Sequence, residues 1–201
     1  MRAAILAILL TAVAACDPAN LSREAVDYRP EQAGTVDHAL CLLGFTAVSL
    51  RRTSGTGHHL VAARLNGRDA LFVVDTGANL SVVDEAHAAA FGLGARGSRP
   101  GGGFAVGGAV AARQVPIDSL ELGGVAVRQR RIVVANLGHL TAAMRPLAGS
   151  AVHGLIGQDV LNEHRAVIDM DRPLLHLIEA DRDPAPVPAE RCASGGAAEP
   201  P

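Results

Sequence analysis

Apolar residues along the chain come in short runs broken by Gly, Asn and Asp, with no sustained helical spacing. In "HHLVAARLNGRDALFVVD", residues 58–75, two apolar runs flank Asn66-Gly67, the strongest short-range signal for a β-hairpin. "SLELGGVAVRQRRIVV" repeats the arrangement around Gly123-Gly124, and "GGGFAVGGAVAARQV" supplies a third hairpin with Gly107-Gly108 at its tip. Two short helices interrupt the strands. Asp84 can cap "EAHAAAF", residues 85–91, with Gly92 as the left-handed stop, and a second helix begins near Gln158 in "GQDVLNEH". "RAVIDMDRPLLHLIEA" then returns to extended structure, turning at Asp171-Arg172-Pro173. The pattern predicts a mostly-β domain with two minor helices, and the turn spacing a barrel-like sheet.

The flanks read differently. Met-Arg followed by "AAILAILLTAVAA" is a short apolar run behind one positive charge, the form of an export signal, and too short to span a bilayer comfortably. Val13-Ala14-Ala15-Cys16 resembles the lipobox of bacterial lipoproteins, in which the cysteine is acylated and becomes the new N-terminus. Ordinary cleavage after Ala12-Val13-Ala14 is the alternative, leaving a soluble periplasmic or secreted protein. The expected division is a signal peptide over 1–15, a lipid-anchored tether and N-terminal extension over 16–44, the domain over 45–179, and a Pro- and Ala-rich disordered tail over 180–201. Export into an oxidising compartment permits a bridge between Cys41 and Cys192, with two free thiols as the alternative.

Composition narrows the function classes. With 201 residues and 49% apolar content the chain can build one ordinary core. A net charge of -2 and 2% aromatic residues argue against a nucleic-acid surface, and Arg128, Arg130 and Arg131 read as the wet side of a strand. Eight histidines raise the question of a metal, but no Cys-x-x-Cys or His-x-x-x-His pair is present. His58 and His59, adjacent on a strand, point to opposite faces; His153 and His164 read as surface or capping residues. Ser81 and Ser150 sit in no nucleophile elbow, and no cofactor is expected.

The chemistry centres on "LFVVDTGANLSVVD", where an apolar run ends on Asp75-Thr76-Gly77. Alone, the tripeptide reads as a turn. About eighty residues on, "HGLIGQDVL" carries Leu155 and Ile156, then Gly157, and opens a helix. Together these two segments resemble the retropepsin-like aspartic proteases, in particular their exported bacterial single-domain members. The resemblance spans residues 45–179 and implies a closed β-barrel of the acid-protease type, with one helix after the Asp loop and one near the C-terminus.

The resemblance also implies a mechanism and a set of roles. One Asp-Thr-Gly per chain implies a homodimer in which Asp75 of each copy meets at a two-fold axis and hydrolyses a polypeptide substrate through an activated water. It assigns Thr76 to a hydroxyl link between the two loops, Gly77 to a carbonyl that holds substrate, and Ala78 to the floor. Gly101 to Ala111, with Gly107 and Gly108 at the tip, becomes the flap. Retroviral members carry an aspartate and an arginine where this chain has Asn79 and Gln158, so a neutral amide pair is expected in place of the ion pair. A membrane-tethered binding or assembly module on the same barrel, without turnover, is the alternative function.

Overall fold

The computed structural model describes residues 28–105 and 108–193. The signal peptide, Cys16 and Gly107 lie outside the described residues, as does the rest of the tail beyond 193.

Twelve strands form one hydrogen-bonded network. In chain order they are β1 (Thr46–Arg52), β2 (His59–Leu65), β3 (Arg68–Val74), β4 (Val82–Asp84), β5 (Arg99–Ala105), β6 (Gly108–Pro116), β7 (Leu120–Leu122), β8 (Val125–Ala126), β9 (Arg131–Ala135), β10 (Gly154–Ile156), β11 (Val167–Asp169) and β12 (Leu174–Leu177). The helices are α1 (Val36–Leu42), α2 (Glu85–Ala88, continued by a 3-10 turn over Ala89–Phe91), α3 (Gly138–Ala148), α4 (Gln158–Glu163) and α5 (Glu190–Ala193).

Local sequence accounts for the hairpins. Asn66 and Gly67 both have positive φ, 49° and 73°, which matches the twist of the flanking strands and fixes the Leu65–Arg68 register of β2 and β3. Asn66 tolerates that conformation and its side chain adds tertiary bonds, accepting from Asp118 N–H at 2.8 Å and donating to Phe91 O at 2.9 Å. His58, expected on the strand, precedes it and is exposed, while His59 opens β2 and is buried.

The strand order is β11-β12-β1-β2-β3-β10-β4-β9-β6-β5, with β7 and β8 attached to β2. The path does not close on itself, so the expected closed barrel is corrected to an open sheet. One end is β5, which pairs with β6 alone. Its sequence, "RPGGGFA", explains why: Pro100 has no N–H to donate, and three glycines weaken a strand against further pairing. The flap register also shifts the expected tip. Gly108 pairs with Ala105 and so begins β6.

The main core gathers Val61, Leu65, Phe72, Val83, Leu120, Leu122, Ile156 and Val160 between the sheet faces. A second cluster, with Leu60, Val73, Met144 and Leu155, lies under α3. This helix has no counterpart in the expected elements. Its inward residues Thr141, Met144 and Ala148 follow helical spacing. Asp84 anchors its start by accepting from Leu137 N–H at 3.0 Å and Thr141 Oγ1 at 2.7 Å. The bond from Ala86 N–H, which would cap α2, is longer at 3.5 Å.

The flanks of the domain are held to it. Cys41 in α1 and Cys192 in α5 form a disulfide with Cα atoms 5.9 Å apart. Val187 N–H donates to Leu42 O at 2.8 Å, so residues 180–193, for which composition predicts disorder, are tied down by a covalent bridge and backbone bonds. In α1, fully buried Asp37 accepts from Arg172, at the β11–β12 turn, and from Arg29 N–H.

Candidate active site

Strand β10 organises the site. It lies between β3, to which it runs parallel, and β4, to which it runs antiparallel, and both neighbours flank the Asp75 loop. Two glycines make the approach possible. A Cβ on Gly154 would stand 1.9 Å from Val82 O, and one on Gly157 would stand 2.7 Å from the Leu80 carbonyl and 2.8 Å from Ala78 O. The hydrophobic-hydrophobic-Gly segment therefore ends on glycine because backbone passes directly behind it.

The loop from Asp75 to Ser81 is stitched to residues 156–159 along its length. Asp75 N–H donates to Ile156 O at 2.9 Å, Gln158 N–H to Ala78 O at 2.8 Å, and Asp159 N–H to Asn79 O at 3.2 Å. The Asp75 carboxylate is turned back on its own loop, Oδ1 accepting from Gly77 N–H at 2.8 Å. Asp75 is half-buried, while Thr76 and Gly77 are exposed. A carboxylate fixed through one oxygen on the rim of the molecule leaves the other free for a second group.

The expected site residues among the described ones can now be placed. Thr76, Gly77 and Ala78 follow Asp75 in one tight loop, and Gly77 engages the carboxylate through its N–H. Ala78 is half-buried and packs against the cluster under α3. Asn79 and Gln158 are brought together, but by backbone and not as a matched pair of amides: Gln158 Nε2 donates to Thr76 O at 2.7 Å, while Asn79 accepts through its own carbonyl. An exposed carbonyl one turn of the loop away offers the long glutamine side chain a partner that the shorter Asn79 does not need to supply. Gly108 lies in β6, at its first residue, paired with Ala105 of β5.

Sequence reasoning missed Ser81 and Asp159. Asp159 Oδ1 accepts from Ser81 N–H at 2.9 Å, Ser81 Oγ at 2.7 Å and Val160 N–H at 2.9 Å. Gly157 N–H donates to Ser81 Oγ at 3.0 Å. The signal was present as an aspartate in the first turn of α4, where a carboxylate favours the helix N-terminus, and a serine at the end of the loop. His153, read from the sequence as a surface or capping residue, is half-buried; its Nδ1 accepts from Leu71 N–H at 2.9 Å and its backbone N–H donates to Leu71 O. Burial foremost, with His87 beside it, lowers the His153 pKa. Its ring meets those of His87 and Phe91 edge-on, with centroids 4.8 Å and 5.3 Å away.

Other carboxylates are committed elsewhere. Asp169 is held by Arg172 through Nε at 3.0 Å and Nη2 at 2.7 Å. Among the described residues, no group of three or more His, Cys, Asp or Glu could hold a metal ion.

Residues 61–160, from β2 into α4, match the family model described as aspartyl protease. No curated relative matches the chain. Among solved structures, a retropepsin-like aspartic protease from Rickettsia conorii is 19% identical, covering 67% of this chain and 91% of that one, with a TM-score of 0.47. The EIAV protease complexed with the inhibitor HBY-793 is 21% identical, covering 56% and 92%, with a TM-score of 0.42. The matched segment contains Asp75, Gly157 and the whole loop-to-helix junction, and it supports an aspartyl protease.

Proposed function

We propose that the protein is an aspartic endopeptidase that works as a homodimer, with Asp75 of each copy forming the catalytic pair. The observation that carries this reading is the anchoring of Asp75: its N–H is fixed to Ile156 O and its Oδ1 to Gly77 N–H, on a loop braced from behind by residues 156–159. A turn with no catalytic role would not need this support. Thr76, exposed, and Leu80, 45% exposed at the end of the same loop, lie on a face that a second copy would cover.

In the dimer, two carboxyls brought close enough to share a water cannot both ionise readily and hold one proton between them. The ionised carboxylate takes a proton from the water as its oxygen attacks the peptide carbonyl carbon. The protonated partner gives its proton to the carbonyl oxygen, forming a gem-diol. Collapse of the diol breaks the C–N bond as a proton passes to the departing nitrogen. Water adds directly, so no acyl-enzyme forms, and the two pKa values belong to the pair. The substrate is a polypeptide bound beneath the β5–β6 ribbon, which acts as the flap.

The location we propose is the periplasm-facing surface of a membrane after export, with Cys16 lipidated as the anchor. The Cys41–Cys192 disulfide supports an oxidising compartment.

Cleavage of an unfolded protein at mildly acidic pH by the purified dimer tests the reading. Loss of cleavage in Asp75→Asn is the expected result, and cleavage persisting in that variant refutes the chemistry. Failure of both forms to cleave, in a preparation shown to be dimeric, favours the binding or assembly module.

A further inference from the structure

The geometry points to Ser81 and Asp159 as positioning residues for Asp75, an assignment that rests on the aspartic-protease reading and identifies the brace behind its active-site loop. The sequence places that brace at Asn79 and Gln158. In the structure it is carried by a relay of fixed direction: Gly157 N–H donates to Ser81 Oγ, and the Ser81 hydroxyl donates to Asp159 Oδ1.

Three features give this relay its stiffness. Ser81 is 1% exposed, so water cannot replace a bond that its hydroxyl loses. Asp159 Oδ1 takes three donors, two of them from Ser81, and a charged acceptor makes each bond stronger than its neutral equivalent. Finally, the relay fixes the end of the loop, Ser81 to Gly157 and Asp159, to the same short segment that holds its start through the backbone bond of Asp75 to Ile156. With the ends fixed, the carboxylate position is set by a buried serine and a half-buried aspartate that stand behind the loop. Ser81 and Asp159 are therefore distinct from the catalytic group they hold.

The test is peptide-cleavage kinetics on the full dimeric protein together with amide hydrogen exchange, using Ser81→Ala, Asp159→Ala and Asp159→Asn. Truncation lowers kcat by about 10- to 100-fold with KM within about threefold, because geometry and not substrate binding is lost. Asp159→Asn keeps an acceptor oxygen for the same donors and restores kcat to within about threefold of the unaltered protein. In Ser81→Ala the Gly157 amide exchanges about tenfold or more faster, and the β2–β3 amides keep their protection.

Wild-type kcat in Ser81→Ala overturns the assignment. So does equal loss of protection in the β2–β3 hairpin, which would make Ser81 a residue of general stability. If the unaltered protein cleaves nothing, the protease reading fails. Exchange at Asp75 and Gly77 in Ser81→Ala then decides the brace alone: unchanged protection at both refutes it, and faster exchange at both upholds it.

Discussion

Replacing Gly157 by alanine probes the junction most directly, because the backbone there needs no special conformation and only space is at issue. Gly157 has φ -103° and ψ -173°, which any residue adopts. Its added methyl would stand 2.7 Å from both C and O of Leu80 and 2.8 Å from Ala78 O, all three of them backbone atoms that cannot swing aside. Restoring ordinary contact requires the loop and the start of α4 to part by roughly half an ångström, and overpacking of this kind costs about 1–3 kcal/mol. For a chain of this size that lowers Tm by roughly 2–12 °C.

The same displacement acts on the bonds that place Asp75, since Gln158 N–H, Asp159 N–H and the Ile156 carbonyl all move with Gly157. A misplacement of about 1 Å costs on the order of 100-fold in rate, so a loss of roughly 10- to 100-fold in kcat is expected here. Calorimetry and peptide-cleavage kinetics on Gly157→Ala measure both effects. Gly94→Ala is the control, since no heavy atom lies within 4 Å of its added methyl, and it should change stability by less than about 1 kcal/mol in either direction. A Gly157→Ala protein with unaltered Tm and kcat would refute the claim that close backbone approach fixes this position.

Three further outcomes follow from the flanks and the histidines. The Cys41–Cys192 bridge spans 151 residues, so its loss in a Cys41→Ser/Cys192→Ser protein removes up to about 5 kcal/mol on the chain-entropy model; equal urea midpoints with and without the bridge would contradict this. Asp37→Asn removes the buried charge that accepts from Arg172 and Arg29 N–H, while partly exposed Arg172 keeps its bonds to Asp169, so the loss should be about 1–3 kcal/mol, as read by denaturant unfolding. His153 has a lowered folded pKa, so its contribution is complete above the unfolded value of about 6.5 and declines as pH falls through 6.5 toward the folded value. His153→Gln should therefore flatten stability against pH below 6.5 by up to about 1.4 kcal/mol per pH unit; an unchanged slope would mean that burial does not hold the ring neutral.

What could be read in the sequence divides along a physical line. Asn66-Gly67 is legible because its meaning is local, a turn that needs positive φ, whereas Asp75-Thr76-Gly77 alone reads as a turn and becomes legible only beside Leu155-Ile156-Gly157, about eighty residues on. The helix α3 follows a helical spacing in Leu137, Leu140, Thr141, Met144 and Ala148, yet Pro146 inside it reads as a breaker, and its anchor at Asp84 is 53 residues away in sequence. Composition predicts disorder after residue 180, and a covalent bond to Cys41 overrides composition, because the bridge supplies what a weak core contact cannot. The open sheet turns on Pro100 and three glycines in β5, whose effect on closure depends on which strands β5 could have met.

The loop-to-helix brace is the sharpest case. Matching positions to a family pattern points to Asn79 and Gln158, but hydrogen bonds are made by atoms and not by alignment columns. Asn79 and Gln158 sit at the exposed edge, where their side chains compete with water, and Gln158 reaches a carbonyl at Thr76 instead. One residue further along α4, and two along the loop, the chain turns inward. There Ser81 is buried and Asp159 meets a hydroxyl and two N–H groups that have no water to fall back on. Loss of a bond costs most where desolvation is already complete. The energy that fixes Asp75 therefore lies with buried Ser81 and its half-buried partner Asp159 rather than with the exposed amides, and substitutions at Ser81 should disturb the site more than those at Asn79.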